Sequence, residues 1–247
     1  MSLKKTFFLC STAVAVVSTT TGAKAVMISE FQPNPIGADP STQTLELSGI
    51  PGNSFSGVFL TLEDDSASGT VDRLSNISGT FGTNGLLSVN IPDLENPSFT
   101  AVLTDSFSGS IGDDLDTDDD GTIDNVALLG TVIDAIGIPD DGLELLYSSQ
   151  LGGVDLAYIG SEPYLVFRDA SVGQWFAVGS DGSSLFDLDG NSVSTSIFSN
   201  NPTVSTFGAI NPTASAAVPF EFSPAMGLIA MGSLFTVSRL RRRNNNV

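Results

Sequence analysis

The segment Asp116-Thr117-Asp118-Asp119-Asp120-Gly121-Thr122-Ile123-Asp124 has the spacing D-x-D-x-D-G-x-x-D. Side-chain oxygens at its first, third and fifth positions, Asp116, Asp118 and Asp120, can converge on one hard cation. Gly121 permits the sharp turn, Thr122 offers a backbone carbonyl, and Asp124 completes the shell directly or through water. Ile123 is placed to pin the loop to a core. Brought together without a cation these carboxylates repel one another, and no Lys or Arg stands nearby in sequence. The expected ligand is Ca2+ at a weak, extracellular-type site, and the plainer reading is a solvated acidic turn. The twelfth position, where a bidentate Glu closes a full-length calcium loop, is Ala127. A further ligand must therefore come from Asp113, Asp114 or elsewhere. Asp187-Leu188-Asp189-Gly190-Asn191 is a poorer echo and reads as a turn.

Composition removes other chemistries. The chain has no His, a single Cys and a net charge of −19. Cys10 lies in an N-terminal apolar run after Leu9, not after the small residue that lipidation needs. Cys/His zinc sites, Cys nucleophiles and Ser-His-Asp triads are excluded from the remainder. No G-x-S-x-G occurs, and between Val26 and the C-terminal arginines the only basic residues are Arg73 and Arg168. Such an anionic body repels nucleic acid and attracts divalent cations. A carboxylate-pair or metal-dependent hydrolase of glycans or phosphoesters stays open as the alternative to a module with a structural or binding role. The truncated acidic loop is similar to the calcium loops of dockerin and thrombospondin repeats.

The elements that must position the loop read as short strands separated by Gly, Pro, Asn, Asp and Ser. The pattern predicts strands over 26–31, 44–47, 57–62, 85–91, 99–104, 127–136, 142–147, 154–158, 164–168, 174–178 and 184–188. In Leu87-Ser88-Val89-Asn90-Ile91 the apolar residues alternate, which sets them on one face. Trp175 and Phe176 are expected to fill core. Only 126–138 hints at a helix, and its Gly and β-branched residues argue against one. The expected fold class is all-β, an antiparallel β-sandwich over 26–197. Residues 198–217, rich in Asn, Pro, Thr, Ser and Ala, read as a linker.

The two ends read as targeting segments. Lys4 and Lys5, an apolar run over 7–17 and Ala23-Lys24-Ala25 form a secretory signal peptide (1–25) with cleavage before Val26. The run is too short to span a bilayer of about 30 Å. At the other end (218–247), Pro219, Phe220 and Glu221 precede an apolar segment, 225–237, and then Arg239, Arg241, Arg242 and Arg243. The apolar stretch partitions into lipid as a short transmembrane helix while the arginines stay cytoplasmic and act as a stop. This order resembles the PEP-CTERM class of bacterial sorting signals, in the Pro-Phe-Glu variant associated with cyanobacteria. The resemblance implies the export machinery and an exosortase-type membrane enzyme as partners, and delivery to the cell surface or extracellular matrix. A surface glycan or matrix component is the expected external partner.

The opening of the body carries a second resemblance. Met27-Ile28-Ser29-Glu30-Phe31-Gln32-Pro33-Asn34-Pro35 followed by Thr44-Leu45-Glu46-Leu47-Ser48-Gly49 is similar to the start of a lamin-tail domain. The resemblance implies an immunoglobulin-like sandwich. The family's usual aromatic-Asn ending after Glu-Leu is Ser48-Gly49 here. Glu30 and Glu46 are read as strand-edge carboxylates that bond turn amides, not as catalytic groups.

Overall fold

The computed structural model describes residues 25–64, 68–94, 98–143 and 145–215. The signal segment through Lys24 and the tail with Pro219, Phe220, Glu221 and the arginines lie outside these residues. Among the described residues no helix is long and apolar enough to cross a membrane. The chain forms two stacked sheets, an all-β sandwich.

The first sheet contains β1 (Met27–Phe31), β2 (Thr42–Ser48), β5 (Leu86–Pro92), β9 (Leu165–Arg168), β10 (Trp175–Val178) and β11 (Leu185–Asp187), in the order β11-β10-β9-β1-β2-β5. The second contains β3 (Ser54–Glu63), β4 (Val71–Thr80), β6 (Phe99–Thr104), β7 (Val132–Ile138) and β8 (Val154–Asp155), in the order β4-β3-β6-β7-β8. Pairing is antiparallel except for β7 with β8, which run parallel.

Period-2 alternation explains the core. Leu45 and Leu47 of β2 point between the sheets with Ile28, Phe31, Phe59, Leu103, Val166 and Trp175. Phe31 sits at the centre, edge-on to Phe59 and to Trp175, with ring centroids 6.5 Å away in both cases. The two sheets are also tied at one edge by Arg168 of β9, whose guanidinium donates to Asp134 of β7 at 2.6 and 2.8 Å.

Both sheets are buried on their outer faces as well. Val58, Leu60 and Leu62 of β3 face away from the central core and pack with Val71, Val102, Leu115, Leu129, Ala135 and Tyr147. The segment between β6 and β7, which contains the acidic loop, therefore covers the second sheet. On the first sheet, Leu165, Phe167, Phe176, Val178 and Leu185 pack with Phe198, whose ring stands edge-on to Phe176 at 5.0 Å.

Several expectations need correction. Residues 198–215 are a strap folded onto the first sheet, not a linker: Phe198 and Asn211 are buried, and Phe198 bridges Ala214. Asn211 donates its side-chain amide to Ser29 O at 3.0 Å and to Arg168 O at 2.9 Å. The polar composition was misleading because this strap is tied to the sheet largely through hydrogen bonds. β4 was not anticipated, since its apolar positions are sparse along an edge strand. The described part of 142–147 is irregular and leads into a 3-10 turn, Ser148–Leu151. The strand expected over 127–136 splits into a 3-10 turn, Val126–Leu129, and β7, because Gly130 at φ 57° breaks the run.

A chain ending at Ser215 should therefore keep the stability of the full protein. One ending at Ile197 uncovers Phe167 and Phe176 and should melt about 10 °C lower or more. Thermal unfolding of the two truncations, followed by circular dichroism, checks this; equal melting temperatures would show that the strap adds nothing.

Candidate metal centre

The acidic loop is built outward from one buried residue. Asp116 is fully buried, with 0% of its surface exposed, and its Oδ2 accepts hydrogen bonds from the Tyr147 hydroxyl at 2.8 Å and from Gly121 N at 2.8 Å. Its Oδ1 accepts from Asp120 N at 3.2 Å. These bonds wind the chain around the carboxylate, which requires left-handed backbone at Asp119 (φ 52°) and Gly121 (φ 84°). Gly121 meets that requirement without cost. A second glycine makes room from the sheet side. A Cβ on Gly69 would stand 2.6 Å from Asp116 Cβ and 2.8 Å from Asp116 N.

Side-chain oxygens of Asp116, Asp118 and Asp120 lie within 4.8 Å of one another. Asp118 and Asp120 are exposed. Repulsion from Asp120, then burial, then Asp124 and Asp116, holds the Asp118 carboxyl above its usual range. Burial and the bond to Asp116 raise the Tyr147 hydroxyl, which therefore remains a donor.

The other expected ligands are arranged differently. Asp124 Oδ2 accepts from Thr117 N at 3.0 Å and closes the loop upon itself. Asp124 N and Asn125 N donate to Leu115 O at the loop base. Asp113 accepts from Ser110 N and Asp114 from Asp116 N, so both are engaged in turns. Thr122 is exposed. Ile123 packs against the outer cluster of the second sheet. Gln150 was not singled out in the sequence, yet its amide donates to Gly121 O at 2.5 Å and accepts from Ile123 N at 3.2 Å. Tyr147 was read only as part of a strand. Nothing in either residue's local sequence signals its role, because both act across long chain separations. The poorer echo is a turn in which Asp187 Oδ1 accepts from Asp189 N and Asn191 N.

A second group of acids lies under the strap. Glu30 and Glu46 stand opposite each other on β1 and β2, and both are buried. Each accepts a loop amide, from Thr206 N at 2.7 Å and Gly208 N at 2.6 Å. Thr206 Oγ1 lies 2.6 Å from Glu30 Oε2 and 2.8 Å from Asn211 Oδ1. One hydroxyl carries one proton and cannot donate to both. Asn211 cannot turn its amide around, because its NH2 group already serves Ser29 O and Arg168 O. A protonated Glu30 donating to Thr206 Oγ1 satisfies both contacts, whereas beside an ionised Glu30 the Thr206 hydroxyl donates to Glu30 Oε2. Burial pushes the Glu30 carboxyl up to about 7, against the hydrogen bonds from Thr206 that lower it, with Glu46 adding to the rise.

This fixes a pH response. The folded state holds the Glu30 proton more tightly than the unfolded chain. Its contribution to stability is complete below the ordinary value of 4.5 and is lost as pH rises through about 7. Glu30→Gln mimics the neutral acid. Denaturant unfolding between about pH 5 and about pH 8 should show the wild type losing up to ~3 kcal/mol relative to the variant. Parallel pH profiles would mean that Glu30 is ionised throughout.

Comparison of the chain with protein-family models, with curated proteins and with solved structures finds no match.

Proposed function

We propose that this chain is an exported surface or extracellular-matrix module, stabilised by Ca2+ and serving a structural or binding role. The observation that carries the reading is the approach of Asp116, Asp118 and Asp120 oxygens to within 4.8 Å on a loop with no basic residue in it. A fold that forces like charges together supplies a binding free energy to a cation that relieves them. Asp124 and the Thr122 carbonyl extend the oxygen set in the same short segment.

The remaining features support a scaffold. A surface cleft of about 640 Å³ is lined by Ser29, Arg168 and Asn211 among others, but Arg168 is bonded to Asp134 and Asn211 to Ser29. Its polar groups already serve the fold. The two-sheet architecture accords with an immunoglobulin-like, lamin-tail-type assignment, in which the motif residues of 27–31 and 44–48 form adjacent strands β1 and β2. The signal segment, cleaved before Val26, accounts for export. The Pro219-Phe220-Glu221 motif, apolar segment and arginines account for processing by an exosortase-type enzyme and for membrane retention at the C-terminus. A surface glycan or matrix component is the external partner of this reading, and nucleic acid is not.

Calcium that binds only the folded state, at a hundred times its dissociation constant, stabilises by about 2.7 kcal/mol. For a domain of this size that raises the melting temperature by about 5–10 °C. Asp118→Ala with Asp120→Ala removes two ligands and relieves repulsion. The double variant should lose most of the calcium response while its calcium-free stability holds level or rises. Melting curves that ignore calcium up to about 10 mM, beyond the range of weak extracellular sites, would reduce Asp116–Asp124 to a solvated turn.

A further inference from the structure

Charge is spread unevenly over the folded body. Residues 47–62 and 74–92 carry no charged side chain, although the chain has 28 acids and a net charge of −19. These two segments fold together: they hold most of β3 and β4, all of β5, and the turns 49–53 and 81–85. The strap, uncharged from 198 to 215, adjoins them where the Asn84 side chain donates to Gly208 O at 3.0 Å. One side of the sandwich is therefore neutral on an otherwise anionic molecule.

The same side carries an open sheet edge. The edge strands of the two sheets are β11, β5, β4 and β8. β8 has two residues. β11 has three and is closed by its own return, with Asp187 N donating to Asn191 O and Val193 N to Leu185 O. β5 ends in Pro92, and its Leu87 leans on β4, where a Cβ on Gly79 would stand 2.6 Å from Leu87 Cδ1. β4 is ten residues long and has neither Pro nor Lys. Its first residue is covered, since Val71 N donates to Asp113 O at 2.9 Å and Val71 O accepts from Gly112 N at 2.8 Å. Further along, among the described residues, 74–78 pair with β3 alone. Asn76 and Ser78 are exposed.

A long edge presents a row of backbone donors and acceptors that can template another strand, and proteins guard such edges with charge, Pro or a covering segment. Along 74–78 none of these guards is present. Two bodies of charge −19 repel each other wherever their acids face, so the neutral side is where a second copy can approach. We propose that β4 is a self-association edge, on which residues 74–78 pair antiparallel with the same strand of a second copy about a two-fold axis near Asn76. The pairing joins the two five-stranded sheets into one continuous sheet. The charges of β4 select the direction. Asp72 and Arg73 lie at one end of the strand, and antiparallel pairing carries them toward the uncharged Gly79 and Thr80 end of the other copy. Parallel in-register pairing would oppose Asp72 to Asp72, which is destabilising. The interface needs no cation and stands independently of the Asp116–Asp124 loop.

Analytical ultracentrifugation of the full-length chain, in a non-ionic detergent with EDTA present, tests the proposal. A monomer–dimer equilibrium should appear and should strengthen as sodium chloride rises from about 10 to about 300 mM, because salt screens the repulsion between the two bodies. Asn76→Asp sets like charges against each other at the axis and should weaken the dimer about tenfold or more. Ser149→Asp adds the same charge at an exposed residue beside β7 and β8, at the other edge of the sheet, and should leave the dimer unchanged. Both positions are exposed, and circular dichroism verifies that both variants fold. Association that weakens with salt would join the C-terminal arginines of one copy to the acidic body of another, and association indifferent to Asn76→Asp would run through other surfaces. Either result overturns the proposal. So does a chain that stays monomeric up to about 100 μM, which would leave the edge to a foreign strand or a glycan.

Discussion

Asp116 is the residue on which the covering of the second sheet depends. A sheet with apolar residues on both faces needs a second layer outside it, and here that layer is a strongly acidic stretch of chain. It can be seated only if the one carboxylate that enters the interior is fully bonded. The Tyr147 hydroxyl and the amides of Asp120 and Gly121 supply those bonds, and the bare backbone at Gly69 gives the space. The arrangement fixes the Asp116 carboxylate as part of folding, while Asp118 and Asp120 stay at the surface. A cation would then meet a site whose costliest element is already in place, which is how preorganisation raises affinity.

The same logic operates on the opposite side of the molecule. The strap over the first sheet combines one aromatic contact, Phe198 on Phe167 and Phe176, with polar pairing to Glu30 and Glu46. Buried acids thus recur as anchors for irregular chain in a protein with almost no internal cations. With Arg73 and Arg168 the only internal bases, their charge is managed by hydroxyls, amides, protonation and, in our reading, calcium. Because the strap holds through Ser215, only residues 216–218 separate the described fold from the Pro219 motif.

Much of the sandwich was legible because period-2 patterning is a local property. The alternation of Leu87, Val89 and Ile91 located β5, and a short apolar run between turn residues located β2. The D-x-D-x-D-G spacing located the loop, since one turn of chain brings its acids together. What escaped depends on distant partners. β4 carries few apolar residues and is held as an edge by its long pairing with β3. The strap looked like a linker because Thr206, Gly208 and Asn211 are held by hydrogen bonds to residues more than a hundred and fifty positions away. Gln150 and Tyr147 likewise acquire their surroundings only through topology. A strand expected over 142–147 failed because Leu143 and Leu145 are exposed and only Tyr147 joins the outer cluster.

In the calcium reading proposed above, Asp116, Asp118 and Asp120 hold a cation close to the Tyr147 hydroxyl, which donates to Asp116. Terbium substitutes for calcium at oxygen sites and luminesces when an excited aromatic ring lies within a few ångströms, so Tyr147 is a built-in antenna for this loop. Titration of the protein with terbium under excitation near 280 nm should give green emission that calcium displaces. Tyr147→Phe should remove most of that emission while calorimetry still detects the ion. Emission that is absent, or that survives Tyr147→Phe unchanged, would contradict the account and place the cation elsewhere.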